Sequence, residues 1–193
     1  MRARGCKVRR FWARGGYTPL FSGAKSLLRR FRPGALPVPG KSAQRERQMS
    51  SPTLRRLWLT LAMLDLFLCY VLWLRICRFL GYAVLCDRYL EDTALDFRRN
   101  FPHDRTESWW LWWALVRATP TPDAAFLLLI PVDESLRRSA AKNEPFPDTP
   151  ETLAWRLRSY EELAATGMWR RLDGRAPREE VQRQIQTTLG LCD

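Results

Sequence analysis

The chain has 193 residues, 46% of them hydrophobic, which suits one domain of ordinary size with a real core and excludes global disorder. Its net charge is +12, but the first 56 residues carry 15 Lys/Arg against one acid, Glu46, while the remainder carries 17 against 19. The basic character therefore belongs to the N-terminal quarter, and the body is nearly neutral.

In chain order, KVRRFWA (7–13) reads as a short strand stopped by Gly15-Gly16. Residues 19–32 read as a basic helix, and 33–52, rich in Pro, Gly, Ser and charge, as a mobile loop. Ser50 or Ser51 caps a long helix that has Pro52 in its first turn and runs to about Phe79. YAVLCD (82–87) suits a buried parallel strand. Residues 90–99 and 106–118 read as helices, AFLLLIPV (125–132) as a buried strand, and Asp133 as the cap of a helix over DESLRRSAAK. Thr149 caps a helix through Ala165, MWRRLDG (168–174) gives a strand and turn, and a last helix covers 177–189 with Pro177 at its start. Strand alternating with helix predicts a single α/β domain with a parallel sheet.

The five cysteines, Cys6, Cys69, Cys77, Cys86 and Cys192, are odd in number and form no CxxC. They suggest neither a disulfide framework nor a zinc ribbon, and a reducing, cytoplasmic compartment fits best. His103 is the sole histidine, which excludes any site needing two. The first 45 residues hold no acid and many Arg, which mimics a mitochondrial transit peptide, and no secretory signal is visible. Residues 57–74 are nearly long enough to span a bilayer, but an ionised Asp65 at the centre would cost roughly 2.5–3.5 kcal/mol on insertion scales. The tryptophans of 109–113 read as one helix face on the core and others at a contact surface, with an interfacial membrane anchor as the alternative. No nucleic-acid signature accompanies the basic blocks.

In open parallel sheets, ligands bind beyond the carboxyl ends of the strands. Asp87-Arg88-Tyr89, Pro131-Val132-Asp133 and Asp173-Gly174-Arg175 stand at such ends. A carboxylate there can hold Mg²⁺ directly or through water, and an adjacent Arg can grip a phosphate; equally, a strand-end acid can simply cap the next turn.

The order of these features resembles the thymidylate kinase family of P-loop nucleoside monophosphate kinases. GYAVLCDRYLEDTALDF (81–97) is similar to that family's DR(Y/H) strand and following helix, and residues 126–164 to its fourth strand, Arg-rich lid and next helix. RLDGRAPREEVQRQI (171–185) resembles its last strand, base-side loop and final helix, and RGCKVRRFWARGGYTPL (4–20) its second strand and Gly-Gly loop. The family's opening strand, Gly-rich phosphate loop and first helix have no counterpart in these 193 residues. The nearest string, Ala35 to Ser42 (ALPVPGKS), has Ala for the first Gly and two prolines without N–H groups, so it reads as a chance match. The resemblance thus implies a fold of the P-loop kinase type, a parallel three-layer sheet with helices on both faces that lacks its central first strand, with Met1 internal to the complete protein.

The implied activity is ATP-dependent phosphoryl transfer to a nucleoside monophosphate, dTMP-like, or a related phosphate acceptor, with Mg²⁺ as cofactor. The resemblance gives Asp87 the metal or its waters, Arg88 the acceptor and transferring phosphates, and Arg137, Arg138 and Lys142 the lid. It places Asp173, Gly174 and Arg175 beside the nucleotide base. Arg14, Asp65, Asp92 and either Arg156 or Arg158 fall to the acceptor cleft. Leu66 stands where the family has Arg, no Glu precedes Gly15-Gly16, and Asp92 and Asp96 replace Ser and Tyr, so the acceptor is open. These residues alone are expected to bind ATP poorly and not to catalyse. A homodimer is compatible with the resemblance. The alternatives are a non-catalytic binding remnant and a membrane-associated protein using residues 57–80.

Overall fold

A computed structural model describes residues 7–12, 51–144 and 147–190. The expected helix over 19–32, the loop over 33–50, the ALPVPGKS string and Arg14 lie outside the described residues. The chain divides into two compact units, Met1–Pro120 and Thr121–Asp193.

The first unit contains strand β1 (Val8–Trp12), the long helix α1 (Pro52–Phe79), strand β2 (Ala83–Asp87) and helices α2 (Leu90–Asn100) and α3 (Trp110–Ala118). Pro52 opens α1, where its missing N–H costs nothing, but the Ser51 side chain makes no capping bond. The middle of α1, Phe67–Trp73, is wound as a π-helix. β1 and β2 run parallel, with Val8 opposite Ala83 and Trp12 opposite Asp87.

The core of this unit is built on one face of α1. Leu59, Met63, Leu66 and Tyr70 are wholly buried and pack with Leu90 and Phe97 of α2 and Leu115 of α3. Each such side chain contributes about 1.5–3 kcal/mol over its exposed state. Trp58, Phe97, Phe101 and Trp112 form a chain of edge-on and tilted ring contacts. Arg55 of α1 forms an ion pair with buried Asp104 at 2.5 Å, and the Trp109 indole N–H donates to the Asp104 carbonyl at 2.9 Å. Trp112 is buried, whereas Trp110 and Trp113 are exposed, so the tryptophan run divides between core and surface.

The second unit contains β3 (Phe126–Leu129), α4 (Val132–Ala141), α5 (Pro150–Ala165), β4 (Arg170–Asp173) and α6 (Arg178–Thr188). β3 and β4 run parallel, with Leu129 opposite Asp173. Thr149 caps α5 by accepting from the Thr152 N–H at 3.3 Å, as the sequence suggests.

Three local expectations are corrected. Asp133 does not cap α4; Pro131 takes that position and Asp133 falls in the first turn, where an acid still complements the helix dipole. Pro177 is the cap of α6 rather than its first residue. The apolar runs are not fully buried strands: β2 leaves Leu85 and β3 leaves Leu128 about half exposed. Each strand has one ladder partner among the described residues, so each sheet is only two strands wide. The architecture is α/β with parallel strands in two small sheets.

Candidate functional site

In the first unit the parallel ladder ends at Asp87, and the chain turns there through Arg88, whose φ is +82°. A left-handed backbone at a non-glycine residue costs on the order of 1–3 kcal/mol and persists only when its surroundings enforce it. The Tyr70 hydroxyl donates to the Arg88 carbonyl at 3.3 Å. The Tyr70 ring meets Phe11 of β1 and Tyr89 edge-on, with centroids 5.5 and 5.0 Å apart. The Tyr89 hydroxyl donates to the Pro120 carbonyl. Asp92 accepts from the Tyr89 N–H at 3.3 Å and lies 3.5 Å from the Arg88 guanidinium. The DRY turn is thereby clamped between the π-wound part of α1 and the first turn of α2.

Asp87 forms an ion pair with Arg10 of β1 at 2.7 Å, with both side chains substantially exposed. Arg10 is two residues before Trp12, the register partner of Asp87, and so projects on the same side of the ladder. Asp65 is buried on the packed face of α1. Burial and the neighbouring Asp65 carboxylate push the Cys69 thiol up to about 11, so Cys69 is not a nucleophile at neutral pH. Burial also drives the Tyr70 hydroxyl far above its ordinary range and raises Glu91, at the start of α2, beside Asp92.

In the second unit the arginines of α4 converge on an acid that the sequence reading did not single out. Glu134 accepts from Arg137 at 2.7 and 2.8 Å and from Arg138 at 2.5 Å. Arg138 also donates to the Gly174 carbonyl at 2.9 Å, which ties α4 to the turn after β4. That turn needs glycine: a Cβ at Gly174 would stand 2.2 Å from Ile130 Cγ2 and 3.0 Å from the Leu129 carbonyl oxygen. The Gly174 N–H donates to the same carbonyl at 2.8 Å and extends the ladder. Asp173 accepts from the backbone N–H of Arg175 at 2.9 Å and from its guanidinium at 3.3 Å, which lowers its carboxyl. Lys142 closes α4. Arg156 pairs with Asp148 at 3.4 Å, whereas Arg158 is exposed.

The two arginines hold Glu134 at about 2, below its ordinary 4.5. Because the folded value is depressed, this contribution to stability is fully present above about pH 4.5 and is lost as pH falls towards 2. Acid titration of α4, followed by amide exchange at Arg137 and Arg138, should show loosening within that window. Glu134→Gln should abolish the pH dependence; an unchanged profile in that variant would show that the clamp is not what titrates.

The structure thus gathers Asp87, Arg88 and Asp92 in the first unit and Arg138, Asp173, Gly174 and Arg175 in the second. Arg10 was not legible as a partner of Asp87, because the pairing spans 77 residues. Glu134 was legible in principle, since its spacing to Arg137 and Arg138 places all three on one helix face.

Magnesium is commonly held by one or two carboxylates, with phosphates and water completing its shell. The half-exposed carboxylate of Asp87 meets that requirement, although Arg10 competes for it. Among the described residues there is no group of three or more His, Cys, Asp or Glu side chains able to hold a metal on its own. Compared with family models and with curated proteins, the chain matches none.

Proposed function

We propose that the chain is the greater part of a thymidylate kinase-like phosphotransferase that moves a phosphoryl group from ATP to a nucleoside monophosphate or related phosphate. The pattern of strand pairing carries this reading. In that fold the first strand lies between the third and the fourth. The remaining strands then pair as second with third and fourth with fifth, both parallel. β1–β2 and β3–β4 are two parallel pairs in that chain order, with no ladder between β2 and β3 among the described residues. The three-layer sheet of the reading requires one further strand beside both β2 and β3.

The site residues then take these roles. Arg88, fixed by its left-handed turn, presents a guanidinium to the acceptor and transferring phosphates. Asp92 orients that guanidinium from the first turn of α2. Arg137 and Arg138 rest on Glu134 and exchange that carboxylate for phosphate oxygens when nucleotide is bound. Asp173 fixes Arg175 at the mouth of the β4 turn, beside the base. Magnesium bound with the nucleotide would neutralise charge on the phosphates, and Asp87 is the carboxylate that would hold it or its waters.

These 193 residues contain no Walker string, so alone they are not expected to turn over ATP. The test is a phosphotransfer screen with γ-labelled ATP and a panel of ribo- and deoxyribonucleoside monophosphates, using the protein expressed from its full reading frame. Label should appear in at least one nucleoside diphosphate. A folded protein that labels none would overturn the reading in favour of a non-catalytic binding role.

A further inference from the structure

Arg10 takes no part in the roles given above, yet it holds the carboxylate on which they depend. Its Nη2 lies 2.7 Å from Asp87 Oδ2, with 77% of the Arg10 side chain and 49% of the Asp87 side chain exposed. An exposed pair of this kind adds little to stability, so holding the fold together does not account for it. Its position is more telling. Side chains alternate along a strand, so Arg10 faces away from Phe11, which packs on Tyr70. Asp87 closes the ladder at the carboxyl end of β2, where open parallel sheets take their ligands. The next residue, Arg88, lies 3.5 Å from Asp92. Two arginine–aspartate pairs thus stand at one strand end, and Arg10 belongs to the more exposed of them.

We propose that Arg10 is a second phosphate-binding arginine of this site, handed from Asp87 to a phosphate when that carboxylate holds a divalent cation. The inference rests on the phosphotransferase reading for the source of the phosphates, a nucleotide. A divalent cation at Asp87 repels the guanidinium beside it, and the phosphates that accompany the cation attract it. Among the described residues Asp87 is the only side chain that pairs with Arg10. The guanidinium therefore swings to a phosphate without breaking another side-chain bond, and its planar fork suits a phosphate edge. Without the cation, Arg10 compensates the Asp87 charge. With it, Arg10 adds a positive charge where phosphoryl transfer gathers negative charge.

The test measures two affinities of the protein expressed from its full reading frame: for Mn²⁺ alone, from the electron paramagnetic resonance of free Mn²⁺, and for Mn²⁺ with inorganic pyrophosphate, by calorimetry. Arg10→Gln should tighten Mn²⁺ alone by about threefold, because the competitor for Asp87 is gone. The same variant should weaken Mn²⁺–pyrophosphate by about tenfold, because a charge-assisted contact is lost. Arg10→Lys keeps the charge without the fork and should fall between wild type and Arg10→Gln in both. Opposite shifts are the signature, since a merely structural role moves both affinities the same way or neither. Arg10 is exposed, so the variant should keep the wild-type circular dichroism spectrum. Affinities that stay unchanged, or move in one direction, would overturn the inference, and so would a wild type that binds Mn²⁺ in neither form. Opposite shifts in a protein that labels no nucleoside diphosphate would support this inference and overturn the functional reading. Phosphotransfer at the wild-type rate in Arg10→Gln would overturn this inference alone.

Discussion

Arg88→Ala should lower kcat for phosphoryl transfer by roughly 1,000-fold or more in the protein of the full reading frame, the scale on which an arginine neutralises charge in such transition states. The expectation rests on position and geometry together. Arg88 follows the last residue of β2, holds φ at +82° and sends its guanidinium towards Asp92. Arg88→Gly separates the two contributions. Glycine adopts that φ without strain, so the variant should fold at least as stably as the wild type yet transfer no better than Arg88→Ala. Turnover within about threefold of wild type in a folded Arg88→Ala protein would remove Arg88 from the mechanism.

Tyr70→Ala should destabilise the first unit by about 3–5 kcal/mol, as large-to-small changes at buried aromatics do. Tyr70 is wholly buried, touches Phe11 of β1 and Tyr89 of the DRY turn, and bonds the Arg88 carbonyl. It therefore joins strand, long helix and turn in one contact set. Tyr70→Phe keeps the rings and loses the hydroxyl, for which about 1 kcal/mol is expected. Urea denaturation of the two variants checks both values. A loss under about 1 kcal/mol for Tyr70→Ala would show that the turn is held from elsewhere.

Much of this arrangement is visible in the sequence because local rules fix it. Pro52 at the start of α1 and Thr149 before α5 mark helix beginnings by their own chemistry. The runs at 83–87 and 126–129 are strands because they are short, apolar and followed by helical spacing. Long-range features were not legible. The register that brings Arg10 to Asp87, and the contact of Arg138 with the Gly174 carbonyl, join residues 77 and 36 apart. The π winding at Phe67–Trp73 leaves no mark in composition. Asp65 shows the limit from the other side: its place on α1 was readable, but not that the face carrying it is packed in core. Leu61, Leu64, Leu68 and Leu72 on the opposite face are exposed, and an apolar periodicity alone does not say which face of a helix is covered.

The central claim is that β2 and β3 are the inner strands of two flanks of one sheet, and strand order tests it most directly. A crystal structure of the protein expressed from its full reading frame should show a further parallel strand laddered to Ala83–Asp87 on one side and to Phe126–Leu129 on the other. A direct ladder between β2 and β3, or two sheets that remain separate, would contradict it and remove the support for phosphoryl transfer.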